Sequence, residues 1–128
     1  MIRVPSAAIT AGLDKCSTSP PHRVQDASMG WYSVRCVFVL EPDLYEERVT
    51  LWEADDADHA IERAEAEAGD YAEQVKGEYL GLAQVCALAN GPGDGVTVFS
   101  LVRESPLDAG EYVTRFFDTG TERPGLCR

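Results

Sequence analysis

From residue 31 onward the hydrophobic positions alternate. Tyr32, Val34, Cys36, Phe38 and Leu40 fall on one side of an extended chain, and Trp31, Ser33, Arg35, Val37 and Val39 on the other. A period of two with β-branched and aromatic enrichment predicts a strand. Glu41-Pro42-Asp43-Leu44 then reads as a short turn, because proline presets the φ angle that such a turn uses. A second strand over residues 45–54 follows. Pairing Leu40 with Tyr45 sets Val49 opposite Cys36 and Leu51 opposite Val34, so that apolar meets apolar along one face of a hairpin. In that register the other face carries Trp31, Ser33, Arg35, Val37, Arg48, Thr50 and Trp52.

The period then becomes helical. Ala57, Ala60, Ile61, Ala64, Ala68, Tyr71 and Val75 recur at helical spacing behind Asp55 and Asp56, both candidate N-caps. This helix is expected to reach about Val75 unless Gly69 ends or bends it. Glu62, Glu65, Glu67 and Glu73 fall on its predicted solvated face. Residues 78–89 are almost uncharged, Asn90-Gly91-Pro92-Gly93-Asp94-Gly95 is a dense turn signal, and residues 96–102 read as a fourth strand. Both strands of this second hairpin are apolar on both faces, a pattern found where both faces are covered or one is shared. Ser105-Pro106-Leu107-Asp108 predicts the start of a second helix with Ser105 as its N-cap, and Asp118-Thr119-Gly120 its stop. Leu107, Tyr112, Val113, Phe116 and Phe117 supply its apolar stripe. The order ββαββα predicts an α+β fold: a four-stranded antiparallel sheet with two helices on one face, a permuted ferredoxin-like arrangement.

Residues 1–29, with Pro5, Gly12, Pro20 and Pro21 and no periodicity, are expected to form a flexible leader. Residues 30–123 are expected to form one domain and residues 124–128 a tail. Met29 stands directly before the first strand and is a candidate true start of translation.

Charge adds a direction to this picture. The 128 residues hold 22 acids against 11 bases, for a formal charge of −11. That balance disfavours nucleic acid and anionic membrane surfaces as partners, since both are bound largely through Lys and Arg. Residues 41–78 alone carry 14 acids against 3 bases, so the acidity is confined to the first turn, second strand and first helix. It offers one acidic side to a basic protein partner. Four cysteines, Cys16, Cys36, Cys86 and Cys127, are spread singly without a Cys-x-x-Cys pair. With no signal-peptide or membrane-spanning apolar run, a reducing cytoplasm is the simplest expectation, with Cys36 and Cys86 as small buried hydrophobes.

No cofactor or metal is implied. Gly91-Pro92-Gly93-Asp94-Gly95 joins two strands and lacks the Lys-Ser/Thr of a phosphate loop, His22 and His59 are not at ligand spacing, and no Gly-x-Ser-x-Gly elbow occurs. Glu46 and Glu47 beside Arg48, and Glu62, Glu65 and Glu67 along the helix, read more simply as solvated faces than as acid/base or cation sites. Asp118, Thr119 and Thr121 read more simply as a helix end than as a pocket rim. The arginines are the better candidates. Arg35 and Arg103 lie in otherwise apolar stretches, where a charge needs a partner or water. If Arg35 shares a face with Arg48, Thr50 and the indoles of Trp31 and Trp52, that face can hold an anionic or aromatic ligand. The candidate binding residues are therefore Trp31, Arg35, Arg48, Trp52 and Arg103; no catalytic set is assigned.

Six segments carry a family resemblance. Trp31-Tyr32-Ser33-Val34-Arg35-Cys36-Val37-Phe38, Tyr45-Glu46-Glu47-Arg48-Val49-Thr50-Leu51-Trp52, Ala64-Glu65-Ala66-Glu67-Ala68, Glu78-Tyr79-Leu80-Gly81-Leu82-Ala83-Gln84, Val98-Phe99-Ser100-Leu101-Val102-Arg103 and Phe116-Phe117-Asp118-Thr119-Gly120-Thr121-Glu122 together resemble an uncharacterised bacterial family, domain of unknown function 4288. The resemblance covers residues 31 to about 123. It implies a small bacterial cytoplasmic protein and no particular activity.

Two functions compete on this basis. The first is a non-enzymatic interaction module, a homodimer through the helix-free sheet face that also neutralises a basic partner. The second is a small-molecule-binding domain or small enzyme that uses Arg35, Arg48 and Arg103 with nearby carboxylates. A pocket where these arginines converge favours the second, and dispersed arginines favour the first.

Overall fold

The computed structural model describes residues 29–127, so the expectations for the leader lie outside the described residues. Strands β1 (Gly30–Glu41), β2 (Leu44–Ala54) and β3 (Glu78–Ala87) form a sheet in the order β2-β1-β3, with β1 antiparallel to both neighbours. Helix α1 (Ala57–Val75) packs on one face of it. Helix α2 (Ala109–Tyr112) is a single turn that continues into a π-helical turn, Val113–Phe117. The α+β class and the antiparallel sheet follow the sequence pattern, with two departures. Residues 96–102 form no strand, so the sheet has three strands among the described residues. Of the described elements α2 and the π-helical turn contact only each other, so one helix covers the sheet rather than two.

The first hairpin corrects the expected register. Glu41 pairs with Leu44 across Pro42-Asp43, and Asp43 takes a left-handed φ of 67°, as a tight hairpin turn requires. The pairing then shifts at Leu40, so that Val39 rather than Leu40 faces Tyr45. One extra residue in a strand turns every later side chain of its partner to the other face. Tyr32, Val34, Cys36 and Phe38 therefore pair with Trp52, Thr50, Arg48 and Glu46, while Val49 and Leu51 lie opposite Arg35 and Ser33. Gly77 packs beside this irregularity. A Cβ there would stand 2.6 Å from the Val39 carbonyl oxygen, too close for any other residue without backbone movement.

Helix α1 obeys its sequence closely. Asp56 is the N-cap, accepting the His59 N–H at 2.8 Å, and Lys76 closes the C-terminus with a φ of 58°. Gly69 lies mid-helix in open space and does not end it. The alanines at 60, 64, 68 and 72 bring the helix down onto Val34, Cys36 and Phe38 of β1 and Ala83 and Val85 of β3. Phe38 is fully buried and meets the Tyr71 ring edge-on at 5.2 Å and the Tyr79 ring at 5.5 Å. Cys36 is a buried free thiol, as expected; Cys86 is also buried but is disulfide-bonded, which departs from the reduced state expected of it.

The chain after β3 turns onto the helix-free side. The Leu88 N–H donates to the Trp31 carbonyl at 2.9 Å, Gly91 lies against the Trp31 indole, and Phe99 comes to rest over Arg35. No helix among the described residues is long and apolar enough to cross a membrane.

Candidate functional site

The register correction divides the candidate residues between three places. Arg48 and Trp52 are on the α1 side of the sheet, Trp31 and Arg35 on the helix-free side, and Arg103 is in the segment before α2. The single arginine-and-indole face expected from the sequence is not formed.

On the α1 side, Arg48 is the centre of a polar layer. Its guanidinium makes a bidentate pair with Glu67 at 3.0 and 3.1 Å and lies over the Tyr71 ring at 3.7 Å and the Phe38 ring at 5.5 Å. Burial alone would lower its pKa, yet the hydrogen bond to Glu67, with Tyr71 and Glu46 nearby, raises it above its usual value. Tyr71 donates to Glu46 at 2.6 Å, Tyr79 donates to Glu65 at 2.6 Å, and the Cys36 thiol lies 3.9 Å from the Tyr79 oxygen. Burial, helped by the bond to Glu65, pushes the Tyr79 phenol far above the usual tyrosine range. Burial likewise pushes the Cys36 thiol up to about 11, which keeps it protonated and a poor nucleophile at neutral pH. Each charged group here is held by another side chain. The layer ties α1 to β2 and offers no converging groups to a substrate. Sequence reading placed Glu65 and Glu67 on a solvated face, but both flank the buried Ala64–Ala68–Tyr71 stripe and are half-buried. That flanking position was the available signal.

Trp52 and Arg103 are satisfied locally. The Trp52 N–H donates to the Thr50 hydroxyl at 2.7 Å, and Arg63 lies over its ring at 5.0 Å. Arg103 donates to the Tyr112 hydroxyl at 2.9 Å and stacks on Phe116 at 4.2 Å.

The helix-free side has a different character. Arg35 donates twice to the Gln84 amide oxygen, sits 3.6 Å from Glu47, and is covered by Phe99 at 5.2 Å. Beside it Ser33 is fully buried, and its hydroxyl has no hydrogen-bond partner among the described residues. On β2 of the same side Tyr45, Val49 and Leu51 remain 62%, 44% and 38% exposed. Chain comparison adds nothing to this geometry. No family model, curated protein or solved structure matches the chain.

Among the described residues no three His, Cys, Asp or Glu side chains cluster so as to hold a metal ion. An open depression of about 560 Å³ lies apart from every candidate residue, between Leu107, Glu111, Arg115 and Thr119. Below it, the Glu122 carboxylate accepts from the Thr119 hydroxyl at 2.8 Å and from the Thr119 and Gly120 N–H groups, and the hydroxyl bond leads in lowering its pKa. Asp118, Thr119 and Thr121 thus belong to a turn closed on Glu122. Ser105 also differs from expectation: it caps only the Leu107 N–H, and Asp108 is the N-cap of α2.

Proposed function

We propose that the protein is a non-enzymatic interaction module that self-associates through the helix-free side of its sheet. The observation that carries this reading is the exposed strip Tyr45, Val49 and Leu51 on β2, a strand unpaired on its outer side among the described residues. Edge strands with apolar exposed faces are templates for association, and contiguous apolar surface on a small domain marks an interface. The dispersal of Arg35, Arg48 and Arg103 supports this reading over a small-molecule site, as does the closure of the Arg48 layer on itself. In light scattering the wild-type chain is expected at dimer mass and Val49→Asp at monomer mass with an unchanged circular dichroism spectrum. A wild-type chain that stays monomeric at micromolar concentration removes the reading.

A second surface of the module serves a basic partner. Asp58, Glu62, Asp70 and Glu73 are exposed along α1, on the side away from the sheet. Such a field accelerates association with cationic proteins and weakens as salt rises. Capture of a basic partner that is insensitive to salt would count against this surface.

A further inference from the structure

We propose that Asn90 is a spontaneous deamidation site, at which the turn after β3 exchanges an amide for an aspartyl or isoaspartyl carboxylate. The inference is independent of self-association. Asn90 is the only asparagine of the chain, a thermolabile residue type, and Gly91 after it has no side chain to hinder approach of its nitrogen. The fold leaves the pair open. Asn90 is exposed, and residues 88–93 form neither helix nor strand. Among the described residues neither the Asn90 amide nor the Gly91 N–H has a hydrogen-bond partner. Packing accounts for the glycine: a Cβ at residue 91 would stand 3.3 Å from Cδ1 and Nε1 of the Trp31 indole, so a larger residue must push the ring aside. The contact that seats the turn on Trp31 thus also sets an unhindered nitrogen beside Asn90.

The reaction consumes only water. The Gly91 nitrogen attacks the side-chain carbonyl carbon of Asn90 and closes a cyclic imide, while its proton passes through solvent to the amide nitrogen, which leaves as ammonia. Water then cleaves one of the two imide C–N bonds. Cleavage of the new bond gives aspartate; cleavage of the original main-chain bond gives isoaspartate, whose main chain is longer by a methylene. Either product places a negative charge in residues 79–93, a stretch that holds no charged side chain. The turn therefore carries an irreversible, age-dependent change of charge next to the residue that packs on Trp31.

The test incubates the full chain at mildly alkaline pH and follows its intact mass. A single amide-to-acid mass gain is expected, placed at residue 90 by peptide mapping, with isoaspartate among the products. The native chain is expected to convert within a few-fold of the rate of the same chain unfolded in guanidinium. Asn90→Gln, a change at an exposed side chain, is expected to abolish the gain over the same period. Gly91→Ala with an unchanged circular dichroism spectrum is expected to slow it several-fold. A native chain that keeps its amide while the unfolded chain loses it overturns the proposal, because the turn then protects Asn90. Conversion in neither state overturns it equally. A mass gain at the wild-type rate in Asn90→Gln shows that a glutamine is lost instead, and the wild-type rate in Gly91→Ala rules out attack by an unhindered residue 91 nitrogen.

Discussion

Residues 30–87 and residues 88–127 carry equally clear sequence patterns and reach different ends. In the first region the alternating and helical periods become strands and a helix, because each apolar face finds a cover: β1 lies between two strands and beneath α1. In the second region a strand pattern and a helix pattern are both present, but residues 96–102 take no strand conformation and α2 shrinks to four residues that contact no described element except the π-helical turn. Val98, Leu101, Val102, Phe116 and Phe117 are all left exposed. Periodicity states what a segment could bury. Tertiary packing decides whether it does.

Truncation is the sharpest way to break the comparison. Phe38→Ala removes a fully buried ring between Tyr71, Tyr79 and Arg48, and is expected to cost about 3–5 kcal/mol in denaturant unfolding. Val98→Ala in dilute, monomeric solution is expected to change stability by less than about 0.5 kcal/mol. Comparable losses at the two sites would show that the second region is as tightly packed as the first.

The first region was largely legible, and its one misreading is instructive. The stripe from Ala57 to Val75, the Asp56 cap and the turn at Pro42-Asp43 all stand where the pattern puts them. What the pattern could not carry was the extra residue at Leu40, which turns Arg48 inward and Val49 outward. Matching apolar to apolar favoured the unshifted register, because an arginine facing a helix looks costly until Glu67 and Tyr71 are there to receive it. Those partners lie 19 and 23 positions further along the chain, beyond the reach of local periodicity. The expected ligand face of Trp31, Arg35, Arg48 and Trp52 failed for the same reason: it depended on which way one strand turned.

Alkaline titration tests the covered layer alone. An unfolded cysteine ionises near pH 9, whereas folded Cys36 holds its proton up to about pH 11. Between these values the unfolded chain binds fewer protons, so stability, full below about pH 9, falls as pH rises through the window. The loss is on the order of 3 kcal/mol, and Tyr79, whose folded pKa is also raised, adds to it in the same direction at higher pH. Cys36→Ser is expected to remove the portion of the slope that begins near pH 9. An unchanged slope would assign it to other groups.

The smallest expected effect compares the two helix starts. Asp56 accepts the His59 N–H at the head of a packed helix of 19 residues, so Asp56→Ala is expected to cost about 1 kcal/mol. Ser105 has the better cap signature in sequence, with Pro106 behind it, but it bonds only the Leu107 N–H at the edge of a segment that packs on no other described element. Ser105→Ala should leave global unfolding within about 0.3 kcal/mol of wild type, because a cap stabilises the whole protein only through what its helix covers. If Ser105→Ala costs as much as Asp56→Ala, α2 must be folded against the domain in solution, and the contrast between the two regions would have to be redrawn as a contrast between one copy and two.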